Sequence, residues 1–228
     1  MIFCVYALVS PRRPLRAATG ITGEPLRLVR AGAIAAVIGE LPRRPAASTR
    51  TLKRYAAVVE AIAATVPAIL PVRFGTTFAD PSELGVVLRA RSATIRQCLR
   101  ALRGRVQMTI RLLCESESGD GSCASQSQVT DRARVRLEHK ATQGTQYLQQ
   151  RARQAREVPE LASIRAGIRR LVKDERVVRR AGIVTVHHLV ARGQAGRYRA
   201  IVEHLADEHR VRLTVGGPWA PYAFADNW

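Results

Sequence analysis

The spacing of apolar residues in the first half of the chain predicts a series of strands. An apolar run over residues 2–9 predicts a first strand, and two shorter runs, 26–30 and 34–38, flank Ala31-Gly32 as the strands of a β-hairpin would. Residues 105–113 alternate apolar and polar side chains, which predicts a strand with one buried face.

Two helices are predicted between these strands. Apolar residues at three- and four-residue steps indicate a helix that Ser48 or Thr49 caps and Pro67 ends. Asp80 and Pro81 begin a second helix, which runs to about residue 102. The order β-ββ-α-β-α-β predicts two helices on one face of a mainly antiparallel sheet. This is an α+β fold close to a ferredoxin-like arrangement, and we place it over residues 1–114.

The second half of the chain predicts a different organisation. Residues 115–128 are rich in Ser, Gly and Gln and are expected to form a flexible linker. The charged segment 129–180 predicts two helices, broken near Val158-Pro159, that project as a helical hairpin or short coiled-coil arm. A strand over 182–190, a helix over 196–209 and a strand over 211–215 then predict a small α+β lobe, so that 129–228 forms a second unit.

The stretch from residue 68 to residue 80 stands out between the two predicted helices. Pro71 removes a ladder hydrogen-bond donor, so the short apolar run before it suits an edge strand or the first residues of a strand. Arg73 lies among apolar neighbours, and we expect its guanidinium to be partly buried and paired, so that Arg73→Ala mainly destabilises the first lobe. Gly75 is expected to be needed for the turn that follows.

The charge of the chain allows several kinds of partner. It carries 37 basic and 18 acidic residues, a formal net charge of +19, and only three of the basic residues are lysines. Such a balance fits nucleic acid, an anionic membrane or an acidic protein, whereas a GC-rich coding sequence would give the same Arg and Ala excess without any function. The basic arm is either a docking surface for a polyanion or acidic protein, or a solvated helical surface. The basic-aromatic residues 73–78 only faintly echo an RNA-recognition signature.

No arrangement of residues predicts catalysis. The chain contains no Walker-type phosphate loop, no GxGxxG and no GxSxG, and it has no CxxC pair among its four cysteines. His187 and His188 are adjacent on a predicted strand and therefore face opposite sides, so we do not expect them to share a metal ion. We expect both to be solvated surface residues. Asp174-Glu175 is expected to be ordinary charged surface. We expect no enzyme activity, no metal and no cofactor, and an apolar start without a basic leader suggests a soluble, cytoplasmic protein.

Four stretches of the chain carry a family resemblance, in the order and at the spacing of the family motifs. Residues 69–76 (ILPVRFGT) resemble the LP-x-RFGT motif of the gas vesicle protein GvpL/GvpF family, and residues 217–224 (GPWAPYAF) resemble its GPWPPYSF ending. Residues 144–151 (GTQYLQQR) are similar to its G-x-x-YL-x-x-R helix, and residues 189–192 (LVAR) to its LV-x-R motif.

The departures from the family pattern concern a few positions. Ala220 and Ala223 stand where the family usually has proline and serine, and His187-His188 replace small residues or asparagine. These differences bear on the subfamily, GvpL or GvpF, and not on membership.

The resemblance implies a non-enzymatic protein of gas vesicles, located there and in the cytoplasm. It implies an accessory or minor structural role in which the protein binds the small, hydrophobic main shell protein, with other gas vesicle proteins as possible partners and no membrane. It also implies two α+β lobes, the first a modified ferredoxin type, with long helices in the second. The alternative function is that of a basic cytosolic nucleic-acid-binding protein.

Seven residues are the candidates for partner binding or for the family signature. They are Arg73, Phe74, Gly75, Tyr147, Trp219, Tyr222 and Phe224. For the three aromatic residues of the C-terminal segment, the competing interpretation is that they fold back onto the sheet and contribute packing.

Overall fold

The computed structural model describes residues 1–10, 19–113, 158–180 and 182–225. Its strands are β1 (Ile2–Val9), β2 (Leu26–Ala31), β3 (Ile34–Leu41), β4 (Ile69–Pro71), β5 (Thr77–Phe78), β6 (Arg105–Leu113), β7 (Val172–Arg180), β8 (Ile183–Ala191) and β9 (Leu213–Trp219). Its helices are α1 (Thr49–Thr65), α2 (Pro81–Ala90), α3 (Ser92–Leu102), α4 (Ala162–Ile168) and α5 (Ala195–Glu208), with short 3₁₀ turns at Pro159–Leu161, Arg192–Gln194 and Tyr222–Phe224. The predicted linker and the first arm helix, with Tyr147, lie outside the described residues.

The first sheet is covered by helices on both faces. Its strands lie in the order β2-β3-β1-β4, with β5 also paired to β1, and each of these pairs is antiparallel. Helix α1 packs on one face through residues such as Tyr55 and Ile62, and α2 with α3 packs on the other through residues such as Leu88 and Leu99. The prediction of two helices on one face is therefore wrong. The cause is visible in β1, whose apolar run is continuous because both of its faces are buried.

Strand β6 belongs to the second sheet, and the prediction that it completes the first one is wrong. The second sheet has the order β7-β8-β6-β9, and β6 lies between β8 and β9 in antiparallel pairs. Alternation along β6 correctly predicted a strand but says nothing about which strand it pairs with, since pairing is a long-range property. The boundary between the sheets thus precedes Arg105, while the division into folding units at 1–114 and 129–228 stays a prediction.

The second arm helix is mostly a strand. Residues 162–168 are helical, but Val172–Arg180 pairs along its length with β8 as the outermost strand of the sheet. Its charged side chains, which suggested a solvated helix, are those that protect an exposed sheet edge from pairing with another chain. Helices α4 and α5 cover one face of this sheet and form with it a third buried cluster, which includes Ile164, Val186 and Tyr198.

Helix α1 depends on the second sheet for its C-terminal end. It has no basic residue in its last turn, and the guanidinium of Arg192, just after β8, donates to the main-chain oxygens of Ala63 at 2.9 Å and Val66 at 3.4 Å. A cation that donates to the last carbonyls of a helix satisfies them and interacts favourably with the helix dipole. Two main-chain bonds through Gly104, to the oxygen of Pro67 at 2.7 Å and from Arg192 at 2.9 Å, join the sheets at the same place.

No helix among the described residues is long and apolar enough to cross a bilayer.

The outer edge of β9 is closed by one side chain. Arg199 of α5 donates to the main-chain oxygens of Val215 at 3.1 Å and Gly217 at 2.6 Å, and it also contacts Glu203. These two carbonyls belong to the outermost strand of the sheet, where another chain could otherwise add a strand. Arg199 therefore protects the β9 edge from pairing with another chain, as the exposed charges protect the β7 edge.

We predict that Arg199→Ala promotes self-association of the protein, because it frees the two edge carbonyls and removes the charge beside them. Sedimentation velocity over a concentration series should show dimers or larger species for Arg199→Ala. Arg197→Ala, which removes an exposed arginine from the same helix, should remain like the parent protein. Identical sedimentation of all three proteins would show that Arg199 does not protect this edge.

Candidate functional site

The conspicuous stretch at residues 69–78 is an edge strand interrupted by a loop. Pro71 pairs with Ala7 and Thr77 pairs with Cys4, so six residue steps on this edge lie opposite three steps of β1. The surplus forms the loop 73–76, and the strand resumes as β5. The prediction of an edge strand at Pro71 is confirmed, since β4 is the last strand on its side of the sheet.

The expectation that Arg73 is buried and paired is wrong. The side chain is exposed, and its guanidinium has no partner among the residues that the structure describes. The main chain of Arg73 shapes the loop instead, because its carbonyl oxygen accepts hydrogen bonds from the amide of Thr76 at 3.2 Å and from its hydroxyl at 2.9 Å. Gly75 has a φ of +84°, a left-handed conformation that an L side chain rarely adopts, and this explains glycine at this position.

Phe74 points back toward helix α1 and joins an aromatic row. Its ring meets Tyr55 edge-on at 5.3 Å between centroids, and Tyr55 stacks on Tyr6 at 5.2 Å. The Tyr55 hydroxyl lies 2.8 Å from the oxygen of Val72, 3.0 Å from that of Val5 and 3.2 Å from that of Tyr6, so its single proton is shared among three carbonyls. Burial raises the pKa of Tyr55 far above its usual range. Tyr55 thus ties α1 to β1 and to the end of β4.

The C-terminal segment 219–225 lies between α1 and the second sheet. The amide of Ala220 donates to the Glu60 carboxylate of α1 at 2.7 Å, and the amide of Ala223 donates to Oε1 of Gln107 in β6 at 2.8 Å. Burial raises the pKa of Glu60, an effect that the hydrogen bond from Ala220 partly offsets. Two main-chain amides of one short segment are therefore held by side chains from both halves of the molecule.

The aromatic residues of this segment have different environments. Tyr222 packs in the apolar cluster under α1, and Phe224 is buried in the cluster on the opposite face of the first sheet, with the Arg176 guanidinium 5.4 Å from its ring centroid. The packing interpretation therefore describes these two residues. Trp219 differs from them, because 48% of its surface remains exposed.

Two adjoining grooves run along the outer side of α1. The first, of about 610 Å³, lies between α1, the loop 73–76 and the C-terminal segment, and Phe74 and Arg73 belong to its lining. The second, also of about 610 Å³, lies between α1 and the polar face of the second sheet, with Trp219 at its side. Ala56 and Tyr222 line both grooves, so the two form one continuous surface, which we call the α1 groove.

His187 lines the α1 groove, and its hydrogen bonds select one tautomer of the neutral ring. Because Oε1 of Gln107 accepts the Ala223 amide, its Nε2 is the donor that faces Nδ1 of His187 at 3.1 Å. Nδ1 is then an acceptor, and neutral His187 carries its proton on Nε2. Burial lowers the pKa of His187, and the charges of Arg111 and His188 lower it further. The prediction that this histidine is a solvated surface residue holds only in part, because the side chain lines an open groove but is half-buried and hydrogen-bonded to Gln107.

His188 faces the other side of the sheet, as the alternation predicted, but it is also buried rather than solvated. Its Nε2 lies 2.7 Å from a Glu175 carboxylate oxygen, and its Nδ1 lies 2.6 Å from the Tyr198 hydroxyl. Arg165 donates two hydrogen bonds to the same Glu175 carboxylate, at 2.8 and 3.1 Å. Burial acts to raise the pKa of Glu175, but hydrogen bonds from His188 and Arg165 outweigh it and hold the pKa below its usual range. The prediction that Glu175 is ordinary surface is wrong, since β7 was missed and with it the partner strand of His188.

The structure brings most of the sequence-predicted site residues together. Phe74, Gly75 and Arg73 lie in one loop beside α1, and Trp219, Tyr222 and Phe224 lie in the segment that crosses it, whereas Tyr147 is outside the described residues. Sequence reasoning missed the residues that hold these motifs in place, namely Tyr55, Glu60 and Gln107. Only the polar Glu60 on an otherwise apolar stretch of helix gave a signal. Within the described ranges, no group of three or more His, Cys, Asp or Glu residues is placed to hold a metal ion.

Comparisons with known proteins agree on one family. The family model for gas vesicle synthesis protein GvpL/GvpF matches residues 3–226. Gas vesicle protein L of Streptomyces sp. (strain CB03234) is 28% identical over 245 residues, which cover 97% of this chain and 91% of that protein. Gas vesicle protein F of Haloferax mediterranei is 26% identical over 160 residues, which cover 69% of this chain and 60% of that protein. The crystal structure of GvpF from Anabaena sp. PCC7120 superposes with a TM-score of 0.74 at 16% identity, covering 99% of this chain and 96% of that one.

We predict that Tyr55→Phe destabilises the protein by about 1 to 3 kcal/mol, because it leaves buried carbonyl oxygens without their shared donor. Tyr222→Phe is the matched control, since the buried Tyr222 hydroxyl has no hydrogen-bond partner among the described residues, and its removal should be neutral or slightly stabilising. Denaturant unfolding of both variants measures the difference. Equal stability of the two variants would contradict the role given to the Tyr55 hydroxyl.

Proposed function

The chain belongs to the GvpL/GvpF family of gas vesicle synthesis proteins, and from this premise we propose that it binds the hydrophobic main shell protein of gas vesicles and assists vesicle assembly. Family membership gives it a role in gas vesicle formation and association with other gas vesicle proteins. The family description names a synthesis role and no reaction. Binding of the shell protein is the further step that we propose, with the α1 groove as its site.

The observation that carries this proposal is the convergence of the family motifs on helix α1. Residues 69–76 and 217–224, which are separated by more than half of the chain, line the same groove. Arg192, from the motif at residues 189–192, donates to the C-terminal end of helix α1, along which the groove runs. Two family-like motifs that line one groove, and a third that holds the end of the helix beside it, support a common role for that surface.

The chemistry of the α1 groove suits an apolar partner with a polar edge. Its lining combines small and aromatic side chains, such as Ala57, Trp219 and Tyr222, with charged ones, such as Lys53 and Arg111. Protein interfaces likewise combine apolar and polar side chains, and Trp, Tyr and Arg contribute most to their affinity. A groove of this size accommodates a few side chains of one partner segment, so the protein would hold part of the shell protein and not enclose it.

The edges of the second sheet make strand addition a poor alternative. Arg199 occupies the carbonyls of β9, and the opposite edge strand, β7, presents charged side chains such as Lys173 and Asp174. A partner therefore meets the second sheet through its polar face and the α1 groove. The site of action that follows from this proposal is the growing vesicle, and before that the cytoplasm in which the shell protein is made.

The test uses Trp219, the exposed aromatic residue beside the groove. We predict that Trp219→Ala weakens co-purification with the main shell protein at least tenfold, since a tryptophan that a partner buries typically contributes about 2 kcal/mol or more. Because its side chain is half exposed, the melting temperature should change little.

Val86→Ala is the control, because Val86 is 58% exposed on α2, on the opposite face of the first sheet from α1. It should bind the shell protein like the parent chain. Undiminished binding by Trp219→Ala would remove the groove from the proposal. No association of the parent chain with the shell protein, with vesicles still forming after deletion of its gene, would refute the proposed function itself.

A further inference from the structure

One side of helix α3 carries a row of arginines, away from the α1 groove. Arg96 and Arg100 lie one turn apart on α3, and Arg103 follows three residues later as the residue that caps the C-terminal end of the helix, so the three span roughly 11 Å along this side. All three side chains are exposed. Helices α3 and α1 cover opposite faces of the first sheet, so this row, which we call the arginine stripe, lies on a separate surface.

The arginine stripe is not neutralised by the chain itself. Arg96 donates to the main-chain oxygen of Ser92 at 3.3 Å, and Arg100 and Arg103 have no side-chain partner within the described part of the chain. Across residues 81–113 the sequence contains seven arginines and a single acidic residue, Glu83. Some arginines elsewhere in the described residues are paired with carboxylates, such as Arg165 with Glu175 and Arg199 with Glu203.

Like charges at these spacings repel one another along a helix and lower its stability. The cost persists in the isolated protein, because α3 is held against the sheet by Ile95, Leu99 and Leu102 and is not able to turn the stripe elsewhere. A partner that brings carboxylates at the same spacing would remove the repulsion and form charge-assisted hydrogen bonds to the planar guanidinium groups.

We propose that the arginine stripe is a docking surface for an acidic amphipathic helix of a partner protein. Carboxylates at i, i+4 and i+7 on that helix would lie opposite Arg96, Arg100 and Arg103. Ser92 and Ala93, which lie one turn before Arg96 on the same side of the helix, have small side chains, so a second helix is able to approach closely there. The segment 81–103 contains no aromatic residue on which nucleic-acid bases could stack, which favours a protein partner over single-stranded nucleic acid. This proposal is independent of shell-protein binding at the α1 groove.

The test uses a short synthetic helical peptide with Glu at i, i+4 and i+7 and a reference peptide with Gln at the same positions. Fluorescence anisotropy should show binding of the Glu peptide only, with an affinity that falls roughly tenfold from low to moderate salt. The triple variant Arg96→Gln, Arg100→Gln, Arg103→Gln should lose binding by roughly tenfold or more. Its melting temperature should stay the same or rise slightly, since all three side chains are exposed and their mutual repulsion is removed.

The control is the triple variant Arg169→Gln, Arg170→Gln, Arg197→Gln, which removes the same charge from exposed positions of the second half. Its affinity for the Glu peptide should lie within about twofold of that of the parent protein, a smaller change than loss of a specific contact would cause. Equal weakening by the two triple variants would show a general effect of net charge and overturn the proposal. Tighter binding of duplex DNA than of the Glu peptide, abolished by the α3 variant, would assign the stripe to nucleic acid and overturn it as well.

Discussion

Helix α1 is completed by residues that lie more than a hundred positions away from it. Its last carbonyls are bound by Arg192, and its one carboxylate, Glu60, is bound by the amide of Ala220. Carbonyls at a helix end and a half-buried carboxylate both need partners, and the first sheet supplies neither. The second sheet and the C-terminal segment must therefore dock on α1 for the first half of the chain to be fully satisfied. The contacts of α1 therefore link the two sheets.

Because these segments pack against α1, some side chains of the family motifs are buried in the structure and others stay exposed. Phe74 is committed to the aromatic row with Tyr55, Phe224 to the core, and Arg192 to the helix end. What remains accessible beside them is the half-exposed face of Trp219, the guanidinium of Arg73 and the floor of the α1 groove. A motif can thus be specific for a family while only a few of its side chains are available to a partner, and those few are where we place recognition.

Local patterns predicted the local structure, and non-local contacts explain what they did not predict. The steps of Tyr55, Val59 and Ile62 correctly predicted α1, and Ala31-Gly32 the hairpin, because these elements are encoded by neighbouring residues. Local periodicity does not predict contacts that depend on residues elsewhere in the chain. Such contacts determine which sheet β6 joins, the strand Val172–Arg180 and the burial of His188. The site was predictable only as motifs. Phe74 and Tyr222 share a groove because the loop 73–76 and the C-terminal segment both pack beside α1. No single stretch of sequence predicts that contact.

We propose that the main shell protein binds at the surface along α1, which is assembled from distant motifs. Hydrogen–deuterium exchange of this protein with and without the main shell protein tests it most directly, because it maps protection without altering any residue. We predict added protection in α1 around residues 52–60, in the loop 73–76 and at residues 214–222, with α3 unchanged. Protection confined to α3 or to β7, with α1 and the C-terminal segment exchanging as in the free protein, would contradict it.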